Sequence, residues 1–360
     1  MAVYKLFPKQ DATLYSEYPA TNTGIDEILE IGCSQAADSS LQVSRALLLF
    51  SSDEIANVVA PLTTQWDAYL KLYMARVVGL GSTQEIECYP LSASWDNGLG
   101  KFADSPANES GVSWTYTVDS GSGAWPTTYT GASTGSYLTG NPGGGVWMTA
   151  AGYKASASFG YRSNFDINFK VTSTVLDWNT AGIVNNGFIL KQKNEFTTTN
   201  KSLFQYFSVD TNTIYPPCLE IRWEDVVYNT GSLSVINSDQ VVVDVENNGA
   251  VFYADSVQRF RLSARPQFPT RTFQTSSIYT NNYALPANTY YSILDQATND
   301  VVVDFDTNYT KVSCDSNGSY FDLYMNGFQP ERTYKIQLKT TIGASTKILD
   351  NKYYFKIVNG

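Results

Sequence analysis

Val171–Lys191 reads VTSTVLDWNTAGIVNNGFILK. Val171, Val175 and Trp178 recur at i, i+4 and i+7, the spacing of one helix face, and predict a short helix. An Asn-Asn-Gly turn follows, and Phe188–Leu190 then reads as a short buried strand. Almost everywhere else the chain alternates with period two. The expected fold is therefore all-β, with one short helix set just before a buried strand.

Composition agrees with that class. The chain has 360 residues, enough for two domains with real cores. It carries 25 Tyr, is rich in Thr and Val, and is poor in the residues that favour helix. The net charge of −10 leaves few clustered cations for phosphates, so nucleic acid is not an expected partner. Cys33, Cys88, Cys218 and Cys314 lie far apart without metal-ligand spacing and are expected to be reduced and mostly buried. Histidine is absent, which removes the commonest general base and zinc ligand. No basic-then-apolar leader is visible at the N-terminus, and no apolar run is long enough to span a membrane.

Along the chain, SRALLLF (44–50) is a continuous apolar run after one arginine and predicts a strand buried on both sides. AYLKLYMARVV (68–78) alternates cleanly and is expected to pair with TQEIECYPL (83–91) through the turn at Gly79–Ser82. Residues 94–160 are dense in Gly, Ser, Thr and Trp. A loop of that length is either functional or wrapped against the body. Trp95, Trp114, Trp125 and Trp147 favour an ordered wrap, because each has a large area to bury. After Asp225 the polar stretch NTGSLSVINSDQ marks a domain boundary, giving domains 1–224 and 225–360. Regular short strands with turn chemistry follow, among them TYKIQLK with Tyr334, Ile336 and Leu338 inward. They indicate a second, Ig-like β-sandwich. Residues 225–270 read either as part of it or as a linker with edge strands.

The segment 10–223 resembles the DNRLRE-type domain, a β-sandwich related to carbohydrate-binding modules. QDATL (10–14), NTG (22–24), LEIG (29–32), SRALLLF (44–50), Trp95 and Trp114 carry the likeness, followed by the quoted helix-and-strand stretch and PPCLEIRW (216–223). The resemblance implies a jelly-roll-like sandwich with a long wrapped loop and the short helix packed across one end. It also implies structural packing roles for Trp95, Trp114, Val175 and Trp178. The last 90 residues are similar in texture to virion structural proteins of T4-like marine phages that infect cyanobacteria.

Residues that could carry chemistry are few. Asp96, Asp104 and Glu109 lie in the wrapped loop with nothing to pair them as a glycosidase dyad. GNPGGG (140–145) lacks the Lys-Ser/Thr and the helix of a phosphate loop. A calcium ion near Asp11 or Asp26 lacks a dense oxygen cluster, so neither metal nor cofactor is expected. Trp125 and Tyr129 are read as structural, as a protein interface, or, with Tyr137, as a glycan-stacking surface. Arg259, Arg261 and Arg265 share one face of RFRLSARPQFPTR (259–271), either as a solvated edge that discourages strand addition or as a docking surface for an acidic subunit.

The resulting expectation is a non-enzymatic structural component of a tailed-phage virion, placed in the tail, baseplate, neck or a fibre. Such a protein assembles in host cytoplasm and grips copies of itself and other virion proteins. The alternative is a carbohydrate-binding module for host-surface or polysaccharide recognition.

Overall fold

A computed structural model of the chain describes residues 2–36, 39–119, 123–126, 143–197, 201–246, 249–270 and 281–359. By internal contacts the chain divides into two compact units. One comprises 6–61 and 67–220; the other comprises 1–5, 62–66 and 221–360.

The elements up to the first helix are β1 (Ala2–Leu6), β2 (Gln10–Tyr15), β3 (Ile28–Gln35), β4 (Leu41–Leu49) and α1 (Ser52–Val59). Then come β5 (Trp66–Leu72), β6 (Met74–Val78), β7 (Gln84–Pro90), β8 (Ala155–Phe159), β9 (Ile167–Lys170) and α2 (Thr172–Asn179). β10 (Phe188–Gln192), β11 (Ser202–Phe207) and β12 (Cys218–Trp223) follow. The large sheet runs β6-β11-β3-β4-β10-β7-β8, with β2 also paired to β4. In a smaller sheet β5 pairs antiparallel with β9. The class is all-β, as the period-two patterns predict.

The apolar run of β4 is buried at every position from Val43 to Leu48, and it lies between β3 and β10. Its arginine is buried too. Arg45 donates from Nε to Glu195 Oε2 at 3.2 Å, from Nη2 to Glu195 Oε1 at 2.5 Å, and from Nη1 to the Gly144 carbonyl. Its guanidinium also lies 4.8 Å from the Trp114 ring centroid and 5.0 Å from that of Trp147. Gly144, Trp114 and Trp147 all belong to the wrapped stretch, so one β4 side chain anchors three points of it. Gly144 has φ +75°, and a Cβ there would stand 2.6 Å from Arg45 Nη1, so the close approach requires glycine.

A second anchor is Asn22 of the NTG turn, fully buried. Its Nδ2 donates to the carbonyls of Asn97 (2.7 Å) and Val112 (2.8 Å), while its Oδ1 accepts from the amides of Gly24 (3.3 Å) and Gly100 (2.7 Å). The four tryptophans of the wrap are each at most 7% exposed and share one cluster with Leu14, Leu47 and Ile189. The ordered wrap is thus present over the described residues.

Helix α2 forms where the spacing places it. Val175 is fully buried, and the Trp178 ring lies 4.6 Å from Phe188 at the start of β10. The helix is eight residues long, too short to persist alone. We expect Val175→Ala to cost about 2 kcal/mol of stability, the lost burial plus the cavity it leaves. The shift of the urea midpoint measures this; an unchanged midpoint would show that α2 does not depend on that contact.

The structure corrects three sequence expectations. The helix is not alone, because α1 packs against α2. Ser51 caps α1 by accepting from the Glu54 amide, Asp53 and Glu54 fill the first turn, and Ile55 and Val59 are buried one turn apart. Residues 68–78 form two strands rather than one: β5 pairs β9 in one sheet, and β6 pairs β11 in the other, with the break at Tyr73. β7 does not pair with either. It lies between β10 and β8, because alternation fixes which face a side chain takes and leaves the partner strand open.

The other unit contains β13 (Val241–Glu246), β14 (Val251–Tyr253), β15 (Val257–Pro266), β16 (Thr289–Asp295) and β17 (Val301–Val303). It continues with β18 (Ser313–Asp315), β19 (Gly318–Tyr324), β20 (Thr333–Ile342) and β21 (Ser345–Val358). A four-stranded sheet β13-β15-β19-β18 and a five-stranded sheet β14-β21-β20-β16-β17 share a core that includes Phe260, Tyr291, Phe321, Ile336 and Phe355. The fold is a generic β-sandwich. Tyr291 and Phe321 stack at 4.3 Å within that core. In β20, Tyr334, Ile336 and Leu338 are buried, as their alternation predicts.

Candidate functional site

The site with the most usable chemistry is a groove on the unit formed by 6–61 and 67–220. Along β4, β2 pairs with residues 44–49 and β3 with residues 41–44. Tyr15 and Gly32 both face Ser44, so the two strands part there and a groove opens. Tyr15, Tyr18 and Phe102 line it together with Glu17, Glu30 and Gln42.

Phe102 reaches the groove from the wrapped loop because its amide is clamped by both oxygens of Asp26, at 3.2 and 3.1 Å. The neighbouring Lys101 Nζ pairs with Glu27 at 2.6 Å and fixes the same turn. The Phe102 ring lies 4.8 Å from Tyr15 and 5.2 Å, edge-on, from Tyr18. Tyr18 remains 44% exposed and Phe102 45%, so both rings offer surface to a ligand. Glu30 is held in place by Gln205 Nε2 at 2.6 Å. Glu17 is exposed and has no polar partner among the described residues.

Burial raises the Asp26 carboxyl to about 6, opposed by the Phe102 amide. Burial likewise pushes the Tyr15 hydroxyl well above its usual range and the Cys33 thiol to about 11, so both stay protonated at neutral pH. The volume is about 140 Å³, below the roughly 300 Å³ at which enclosed small-molecule sites begin. The groove is thus too shallow to enclose a drug-sized ligand. The arrangement offers apolar ring surface beside hydrogen-bonding carboxylates.

The residues singled out from sequence fall elsewhere. Trp125 is 4% exposed and donates from Nε1 to the Ser113 carbonyl, so its ring is packing and does not stack on a ligand. Tyr129 and Tyr137 lie outside the described residues. Trp95 and Trp114 are buried in the packing cluster.

Arg259 and Arg261 do share a face, and β15 lies between β13 and β19 in its sheet. β19 pairs with residues 257–262 and β13 with residues 261–266, so the edge reading fails at Arg261 while Arg259 has a strand neighbour on one side. Arg259 is bound by both oxygens of Asp322 at 2.7 and 2.8 Å, and Arg261 by both oxygens of Asp315 at 2.9 and 2.8 Å. The Tyr320 ring lies 4.1 Å from the first guanidinium and 5.3 Å from the second. Arg261 holds the Asp315 carboxyl below its ordinary value. Arg265 donates to the Pro266 carbonyl at 3.3 Å. Arg259 and Arg261 are thus neutralised by their carboxylate partners.

The four cysteines are free and buried. No group of three or more His, Cys, Asp or Glu among the described residues is placed to hold a metal ion, and Asp11 and Asp26 form no such group. Among the described residues no helix is long and apolar enough to cross a membrane.

No protein-family model matches the chain, and neither does any curated protein. Among solved structures it is similar, at 9% identity and TM-score 0.18, to a DUF4785 family protein from Legionella pneumophila, covering 98% of this chain and 66% of that one. Parabacteroides merdae beta-glucuronidase is similar at 9% identity and TM-score 0.17, covering 98% and 36%. Botulinum neurotoxin type C is similar at 9% identity and TM-score 0.16, covering 96% and 72%. The chain spans under two thirds of the length of the first two. Likeness at these scores carries no argument about function.

Proposed function

We propose that this chain is a non-enzymatic binding protein that holds a saccharide across the Tyr18–Phe102 groove. The observation that supports this reading is the pair of exposed rings, fixed by the Asp26 clamp beside Glu17 and Glu30. Aromatic faces with a few oriented polar groups suit the apolar faces and hydroxyl rims of sugars. The DNRLRE-like motifs point to the same class, with a jelly-roll-like first sandwich and an Ig-like second one.

Phe102→Ala is expected to weaken oligosaccharide binding at least tenfold while leaving the thermal midpoint within a few degrees. Glycan-array screening followed by calorimetric titration of the full chain measures it. Wild-type affinity in Phe102→Ala would remove the groove from consideration.

The virion setting is a second reading, in which the protein is a structural component on the outside of a tailed-phage particle. The partly exposed face built from Arg259, Arg261 and Tyr320 favours it, since pre-ordered Arg and Tyr side chains are frequent anchors of protein interfaces. Mass spectrometry of purified particles tests it, with stoichiometric amounts expected.

A further inference from the structure

The charge of the groove constrains the sugar it can take. Glu17 and Glu30 both line it, and no Lys or Arg does. The nearest lysine along the chain from Phe102, Lys101, is committed to Glu27. Gln205 Nε2 donates to Glu30 at 2.6 Å and fixes that carboxylate at the floor of the groove. Glu17 at the rim has no partner to neutralise it among the described residues.

From this we infer that the groove selects saccharides carrying cationic amino groups, of the partly deacetylated N-acetylglucosamine type, and rejects uronic acids. This deepens the saccharide reading above and rests on it. An ammonium group on the sugar ring gains from both carboxylates. It gains again from the faces of Tyr18 and Phe102, because a cation within about 6 Å of an aromatic centroid is attracted by the ring quadrupole. A uronate in the same position meets two like charges and the electron-rich ring faces. Both carboxylates are reachable from solvent, so screening keeps each contribution small. Together they amount to about a tenfold preference.

Calorimetric titration of the full chain with three oligosaccharides of equal length tests the inference: a glucosamine oligomer, a neutral glucose oligomer and a uronate oligomer. The glucosamine oligomer is expected to bind about tenfold more tightly than the neutral one, and the uronate more weakly than either. Raising the salt from 50 to 500 mM should shrink the spread, as exposed charges require. The double substitution Glu17→Gln with Glu30→Gln should equalise the three ligands, with folding of the variant checked by its thermal midpoint and circular dichroism. Equal or tighter uronate binding by the wild type would overturn the charge selection and leave the saccharide reading standing. So would a preference that survives the double substitution. Failure of all three sugars to bind would sink the saccharide reading itself, and the inference with it.

Discussion

Arg45→Met lowers the unfolding free energy by about 3–5 kcal/mol, the usual cost of removing one partner from a buried ion pair. Glu195 is 2% exposed and, among the described residues, would keep only Lys191, whose Nζ is 3.7 Å away. The Gly144 carbonyl would lose a donor, and Trp114 and Trp147 would lose the cation near their rings. Because the lost contacts anchor the wrapped stretch, tryptophan fluorescence should report its release at lower denaturant than the loss of strand signal. Glu195→Met added to Arg45→Met should recover a large part of the loss, since an apolar pair replaces two buried charges. A single-variant cost under about 1 kcal/mol would show that Arg45 does not hold the wrap.

Asp11→Asn is expected to stabilise the protein at pH 8 by about 2–3 kcal/mol and to change nothing at pH 4. Asp11 sits on β2 and is almost fully buried, with its Oδ2 accepting from the Val209 amide at 2.7 Å. Burial raises its carboxyl from 3.8 to about 7, and the nearby Asp210 adds to the rise. Between those two pH values the folded chain keeps a proton that the unfolded chain has released. Stability therefore falls as pH rises from about 4 to about 7 and is flat above that. Asparagine retains an oxygen for the Val209 amide and carries no charge to desolvate. The gain is below the full value of the shift because the new amide hydrogens also need partners. Thermal midpoints taken every half unit from pH 4 to 8 should converge at the acid end and diverge at the other. Parallel curves would mean that Asp11 ionises freely in the fold.

Individual strands and α2 were legible because their signals are local. Period two in β20, the apolar run in β4 and the Val175–Trp178 spacing each involve residues a few places apart. The same local rule should have found α1, whose Ser51-x-x-Glu54 capping pattern precedes Ile55 and Val59. Its brevity beside a strongly apolar strand hid it. The four wrapped tryptophans were legible as a group because their area demands burial, whereas the exposure of any one ring was not. Trp125 is covered because the loop folds back to Ser113, and nothing adjacent to it in sequence says so.

By itself, then, the sequence determined an all-β chain, the faces of its strands and the short helix before β10, since hydrophobic period acts between near neighbours. Only the tertiary structure decided which strands pair and where ligand chemistry collects. Arg45 and Glu195 meet across 150 residues, and Tyr15, Tyr18, Glu30 and Phe102 meet only because β2 and β3 separate along β4. Contacts of that reach are set by the packing of whole sheets, which no short window of residues encodes.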